Sequence, residues 1–403
     1  MDDSVRVVVT ADICPNEGLE DELLAGGGAR LLGPVKALMD KADLVIGNLE
    51  TPLCDQEAPI RKCGPNFICK PALAPVLRDL GFHCLTLANN HINDQGTPGL
   101  EQTLRVLREA KVAYCGAGMT HEEACRPVVF KIKGRTLAVF NFAEGEFAQA
   151  QEEGPGAARL DPWWPERGLQ NVRQEVDIIL AILHIGNEYQ PIPSPLTTDF
   201  CRRLAAAGAD AVVAHHAHIP QATELFDGVP LCFSLGNCLF GYPYTQERFD
   251  AQPSWFLGSA AEIEFPVGDC ARLTIHPFKR TPSRALAELS PAGHEAFEEY
   301  MERCEDILVD PALHQRFWEQ EARELFRGHR KALPGYAQDL NGDDPAKVQR
   351  AATILYNLMR CEAHHEVLKR GLRLMHEGRL EDDAGAQAEL AVLAERIRQC
   401  FAE

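Results

Sequence analysis

Asp12, Asn48 with Glu50, Asn90 with His91, His184, and His216 with His218 each stand at or just beyond the end of a short apolar run. Carboxylate and amide oxygens combined with imidazole nitrogens suit hard or borderline divalent cations, so the set predicts a site for Mn, Fe, Zn, Mg or Ca rather than a thiolate-bound soft metal. Singly, each has an ordinary explanation: a capped turn for Asp12, a left-handed backbone for Asn90, a satisfied core imidazole for His91. Repetition after five runs changes the balance. In an α/β fold the carboxyl ends of parallel strands open onto one crevice, where residues distant in sequence converge. If the chain is extended around His216 and His218, alternation puts both on one face and turns His215 and Ala217 away. The string His184-Ile185-Gly186-Asn187-Glu188-Tyr189 adds a glycine for close backbone approach, a carboxylate able to orient an imidazole or exchange protons, and a phenol.

The elements that must position these residues follow from the apolar pattern. Strands are predicted over Val5 to Ala11, Asp43 to Gly47, Cys84 to Ala88, Ile178 to Leu183 and Ala211 to Ala214. Helices are predicted over Leu31 to Met39, Pro71 to Leu80, Gly99 to Ala110 and Leu196 to Ala207. The strands are continuous apolar runs, which implies burial on both faces. Hairpins are expected around Lys133-Gly134-Arg135, Asp227-Gly228 and Gly268-Asp269. The order predicts an α/β fold, a two-sheet sandwich. Between Phe142 and Trp164 lies a long segment rich in Gly, Pro, Glu and aromatics, in which Phe147, Trp163 and Trp164 are either a lid over the crevice or ordinary packing. Beyond Pro282 the character changes. Ser290-Pro291, Asp310-Pro311 and Asp344-Pro345 each place a capping residue before a proline at the first helical position. We therefore divide the chain into a domain over residues 1–283 and an all-α region over 284–403, expected as four helices.

The 403 residues are 45% hydrophobic, enough for a large core, and the net charge of -19 argues against a nucleic-acid partner, whose phosphates demand Lys and Arg. No run approaches the roughly 20 apolar residues of a spanning helix. The beginning Met1-Asp2-Asp3-Ser4 lacks a basic, then apolar, leader pattern, so a cytoplasmic location without membrane attachment is expected. The 14 cysteines are scattered, mostly inside apolar runs and without a Cys-x-x-Cys pair, which predicts buried thiols.

Ala11-Asp12-Ile13, Asn48-Leu49-Glu50-Thr51-Pro52-Leu53, Leu87-Ala88-Asn89-Asn90-His91, His184 to Tyr189, His216-Ala217-His218 with Gln221, and Ser234-Leu235-Gly236-Asn237 together resemble the motif series of the CapA family of poly-γ-glutamate capsule synthesis. That family is a branch of the calcineurin-like metallophosphoesterases, and the resemblance covers approximately residues 5 to 240. It implies a four-layer αββα sandwich. It also implies metal ligands at Asp12, Glu50, Asn90, His216 and His218, and acid/base groups at His91, His184, His216, Asp94 and Glu188. Lys62, Lys70 and Tyr189 become candidates for holding an acidic or peptide-like substrate, although an exposed lysine is the commoner fate of Lys62 and Lys70. Cys14 stands where dinuclear relatives in the superfamily carry histidine, and Glu50 where they carry a bridging aspartate, so a complete two-metal centre is not expected. Three functions compete: hydrolysis of a peptide or phosphoester, epimerisation at a peptide Cα, and a non-catalytic polymer-binding role. The helical region is the expected place for a protein partner or self-association.

Overall fold

The computed structural model describes residues 3–150, 154–161 and 164–403. Its strands are β1 (Val5–Cys14), β2 (Leu44–Leu49), β3 (Cys84–Thr86), β4 (Ala113–Cys115), β5 (Ala117–Gly118), β6 (Val128–Ile132), β7 (Arg135–Ala143), β8 (Gly156–Ala157), β9 (Ile178–His184), β10 (Ala211–His215), β11 (Thr223–Phe226), β12 (Val229–Cys232), β13 (Asn237–Phe240), β14 (Leu257–Phe265), β15 (Arg272–Arg280) and β16 (Leu286–Ala287). The helices are α1 (Leu19–Leu24), α2 (Gly28–Leu32), α3 (Pro34–Met39), α4 (Leu73–Asp79), α5 (Gly96–Glu109), α6 (His121–Cys125), α7 (Trp164–Val172), α8 (Pro195–Ala206), α9 (Gln246–Ala251), α10 (Pro291–Val309), α11 (Pro311–Leu340), α12 (Pro345–Arg360), α13 (Glu362–His376) and α14 (Ala384–Gln399).

One sheet runs β16-β15-β14-β1-β2-β3-β4, with β13 also pairing with the end of β1, and the other runs β11-β12-β10-β9-β7-β6. With helices on the outer faces this is the four-layer αββα sandwich. The parallel pairs β1–β2, β2–β3, β7–β9 and β9–β10 lie at the centres of the sheets, where apolar runs such as Val7-Val8-Val9 and Ile178-Ile179-Leu180 are wholly buried. Register then aligns the strand ends: Asp12 sits opposite Asn48 and Asn237, while Ala143, His184 and His215 form one row across β7, β9 and β10.

Two helical expectations are corrected. Leu31 to Met39 is two short helices, because Gly33 at φ 49 breaks the run and Pro34 starts the next one. A Cβ on Gly33 would come within 2.2 Å of the Leu286 carbonyl oxygen, so the close approach of β16 requires the glycine. The C-terminal region has five helices rather than four. Ser290, Asp310 and Asp344 cap their helices as expected, each side chain accepting from backbone N–H groups of the first turn. The unexpected break is at Cys361, which is extended at φ -75, ψ 123 and gives α13 no side-chain cap, so the sequence carries no start signal there.

Helices α10 and α14 bury Phe297, Tyr300, Leu393 and Ile397 in the same core as the sheets. Helices α11, α12 and α13 build a second, smaller core around Trp318, Phe326, Leu358 and Val367. Every cysteine is free, and 11 of the 14 are buried, which makes them core thiols. Among the described residues no helix is long and apolar enough to cross a membrane.

Candidate metal centre

Asp12 lies near the end of β1, Asn48 lies in β2 and Glu50 follows it; all three are buried. Asn48 Nδ2 donates to Asp12 Oδ1 at 2.8 Å and lies 3.3 Å from His184 Nδ1, so this amide orients a carboxylate from one sheet and an imidazole from the other. His184 Nε2 is 3.1 Å from Asn90 Oδ1 and 3.6 Å from Glu50 Oε1. His218 Nε2 reaches within 3.8 Å of Glu50 Oε1, and its Nδ1 within 3.5 Å of Asp12 Oδ2. The sequence-predicted ligands from both sheets therefore meet at one place.

His216 and His218 reach it differently from the expectation. Strand β10 ends at His215, and both later histidines have positive φ, 97 and 56. A contorted turn, not strand alternation, aims them inward, a conformation that non-glycine residues adopt only where the surroundings enforce it. His215 is not turned away either: its Nδ1 lies 2.9 Å from Asp12 Oδ1. Tyr189 is a third strained residue, φ 65, and its ring stacks toward His218 and Trp255 at the mouth of the crevice.

The electrostatics fit a cation. Burial, with Asp12 and Glu188 close by, pushes the Glu50 carboxyl well above the ordinary range. Neither of its oxygens has a hydrogen-bond partner among the described residues, and neither does His216 Nδ1. A buried carboxylate left in this state is costly unless a positive charge satisfies it. Burial and the neighbouring histidines hold His184 well below its usual value, and burial lowers His216 to about 4. Both rings are therefore neutral and free to ligate near neutral pH. For Asp12, burial would raise the carboxyl, but His215 and His218 keep it below the normal value. Two trios of donors share Glu50: Glu50 with His216 and His218, and Asp12 with Glu50 and His184.

Beside the trios sits a buried cluster of His91, Asp94 and Lys62. His91 Nδ1 is 2.6 Å from Asp94 Oδ2, and Lys62 Nζ is 2.5 Å from Asp94 Oδ1 while donating to the Asn90 carbonyl at 3.2 Å. Burial, aided by Lys62, lowers His91 to about 4. The Lys62 side chain is thus buried at the cavity edge, only 2% exposed, and is not the solvated lysine that base rates favour. Lys70 is the reverse. It lies at the surface, paired with Glu20 and Asp21, and does not line the crevice.

The crevice opens into a cavity of about 610 Å³ whose floor includes Asn90, His91, Glu188 and His216 and whose wall is helical, with His329, Tyr336, Asn357 and His364. Burial would raise Glu188, but His218 and His216 hold it low and ionised. Helical participation was absent from the sequence reading. So were Glu144 and Glu146, which follow the end of β7: Glu144 Oε1 is 3.4 Å from His216 Nε2, and its Oε2 accepts from the Ala363 N–H at 2.9 Å. The rule that exposed the other ligands, polar residues after an apolar strand, would have found them. Phe147 is no lid. It packs against Tyr356 and under Arg360, while Trp164 is exposed beside His121, and Trp163 lies outside the described residues. The aromatic rings packed against His91 and His218 are instead Phe67, Phe240 and Trp255, the last two buried.

Comparison with known proteins agrees with this picture. The chain is 27% identical to the PGA biosynthesis protein CapA of Bacillus subtilis, an alignment covering 66% of this chain and 71% of that protein. It is 25% identical to the capsule biosynthesis protein CapA of Bacillus anthracis, covering 63% and 64% respectively. A probable polyglutamine synthesis accessory protein of Mycobacterium tuberculosis is 27% identical over 50% of this chain and 56% of its own length. Among solved structures, a 5'-nucleotidase precursor from Thermus thermophilus superposes with a TM-score of 0.45 at 15% identity, covering 76% of this chain and 60% of that one. The family described as bacterial capsule synthesis protein PGA_cap matches residues 6–242, which span all the strand-end donors. The chain belongs to that CapA family.

Proposed function

We propose that this chain is a metal-dependent hydrolase of an acidic or peptide-like substrate, such as a γ-glutamyl or other peptide chain or a phosphoester. The observation that carries the reading is Glu50, a fully buried carboxylate without a hydrogen-bond partner among the described residues, shared by two trios of histidine and carboxylate donors. Asp12, Glu50, His184, His216 and His218 would hold one or two divalent cations, with Asn90 close enough to His184 to complete the set. Such a cation, when bound, supplies a Lewis acid beside a carbonyl or phosphoryl oxygen.

The remaining chemistry belongs to the chain. With Asp94 accepting from His91 Nδ1–H, Nε2 carries the free lone pair, and the depressed basicity of the ring keeps it unprotonated and ready to take a proton. Lys62 neutralises Asp94 and holds its carboxylate beside the ring. Glu188, ionised at the cavity floor, is the second proton carrier, and Tyr189 closes the mouth against water. Relatives named for PGA and capsule biosynthesis support this substrate class, since poly-γ-glutamate synthesis is a setting in which a γ-glutamyl amide would be cut or transferred.

The test is turnover by the purified chain loaded in turn with Mn, Zn, Fe, Mg or Ca, on γ-glutamyl peptides, α-peptides and phosphoesters. Cleavage that is lost in Asp12→Asn and His91→Ala supports the reading. Metal binding without cleavage of any of the three overturns it, and deuterium entering a peptide Cα from heavy water under those conditions identifies epimerisation instead.

A further inference from the structure

The helical region brings its own metal-type donors to the edge of the same cavity. Glu146, on the loop after β7, meets Cys361 and His364, the extended residue before α13 and a residue in its first turn, with one donor atom from each lying within 4.8 Å of the others. Thiol, imidazole and carboxylate are three different donor chemistries, and their convergence differs from an acidic cluster or a stray cysteine. We propose that Glu146, Cys361 and His364 form a second cation site, of the zinc type, built jointly by the sandwich and its helical wall. It uses none of the donors of the Glu50 centre and does not depend on the hydrolase reading.

Geometry favours a cation over a simple ion pair. His364 Nε2 is 3.6 Å from Glu146 Oε1, too long for a direct hydrogen bond. A zinc-type ion with arms of about 2.0–2.3 Å sets donors about 3.3–3.8 Å apart, a range that includes the 3.6 Å between His364 Nε2 and Glu146 Oε1. The partly exposed His364 ring, at 39%, has the freedom to adjust to such an ion. Three protein ligands leave a fourth position facing the cavity, where His329, its ring 6.2 Å from that of His364, or solvent can enter.

A separate observation points the same way. Asn357 is 5% exposed, lines the cavity alongside Cys361 and His364, and its Oδ1 has no hydrogen-bond partner among the described residues. A buried amide oxygen left unpaired beside a cavity is the kind of group that a hydrated cation satisfies. The site is also braced. Glu144 accepts from the Ala363 N–H, and Gly145 approaches so closely that a Cβ would lie 2.3 Å from the Arg360 carbonyl oxygen. Mixed thiolate, imidazole and carboxylate ligation selects Zn or its spectroscopic substitute Co over Mg or Ca. On binding, the Cys361 S–H proton leaves to solvent and the sulfur lone pair bonds the ion.

The experiment is cobalt titration of the full-length, chelator-stripped chain, read by bound stoichiometry and by the near-ultraviolet sulfur-to-cobalt charge-transfer band. The wild type is expected to show the band and to bind one equivalent more than Cys361→Ser, which loses it. His364→Ala, altered at a partly exposed position, is expected to bind this equivalent at least tenfold more weakly. Cys14→Ser and His216→Ala are expected to keep the band, which separates this site from the Glu50 centre. No band in the wild type, a band that persists in Cys361→Ser, or a band that follows Cys14 overturns the proposal.

Discussion

The strand-end crevice and the helical wall bound the same cavity but are built on opposite principles. In the crevice the donors come from five separate segments, and sheet register does much of the positioning: Asp12 opposite Asn48, and His184 opposite His215. In the wall, Cys361 and His364 are close in sequence, and a break between two helices presents them to a loop 215 residues away, as the contact of Glu146 with Cys361 and His364 shows. The crevice is a property of topology, whereas the wall depends on docking. Perturbations inside the crevice should therefore act on the metal and its charges, and perturbations of the wall on how firmly it is seated.

The largest expected effect is in the crevice. Glu50→Gln should remove stoichiometric metal from the Glu50 centre and any metal-dependent turnover, and it should also invert the stability order. Burial raises the Glu50 carboxyl, so without metal the wild type carries a penalty that grows as pH rises above the ordinary carboxylate range. In excess chelator at alkaline pH the Gln variant should be the more stable by about 1–3 kcal/mol, and with metal present the less stable. Melting curves with and without chelator decide it; the same order in both would mean that Glu50 holds no cation.

Next come the two lysines, which the sequence offered as equals. Lys62→Ala leaves Asp94 buried without its counter-charge and should destabilise the fold by about 3–5 kcal/mol in urea unfolding. Lys70→Ala, at the surface between Glu20 and Asp21, should leave the unfolding midpoint where it is. Equal effects would break the assignment of Lys62 to the crevice.

This contrast shows what was legible. The strands, the parallel order and the donors at their ends were visible because burial on both faces writes continuous apolar runs and the ligands sit where those runs stop. Even there the local geometry of His216 and His218 was not visible, since a positive φ at a histidine is imposed by tertiary contacts and leaves no mark on the residue type. Lys62 and Lys70 could not be told apart because lysine is the same residue whether it meets Asp94 inside or Glu20 outside. The wall was hidden for another reason. Capped starts announced α10, α11 and α12, but α13 begins at Cys361 without one, so its first turn, with Ala363 and His364, had no assigned place.

Seating of the wall is tested at Gly145. Gly145→Ala would push a methyl group to within 2.3 Å of the Arg360 carbonyl oxygen, forcing the α12–α13 junction away from the Glu144–Glu146 loop. Overpacking of this kind should cost about 1–3 kcal/mol. Hydrogen exchange should rise in α13 and stay unchanged in β1 and β9. Exchange rising equally in both would mean that wall and crevice unfold as one unit.

The smallest effect is a pH dependence confined to the wall. Glu366 in α13 accepts from Ser194 Oγ at 2.7 Å, beside the start of α8, and burial raises its carboxyl from 4.5 to about 7. A raised folded value means that the proton is held more tightly in the folded state. The contribution to stability is therefore complete below about pH 4.5 and is lost as pH climbs through about 7. Between pH 5 and 8, Glu366→Gln should gain on the wild type by about 1–2 kcal/mol, allowing for solvent around a partly exposed group. The gain should appear as slower exchange in α13 at the higher pH, with no matching change at Asp12 or His184. A difference between the two proteins that stays flat across this range would mean that Glu366 titrates as a surface carboxylate and that α13 is held to α8 by packing alone, which would leave the wall insensitive to the pH at which the crevice works.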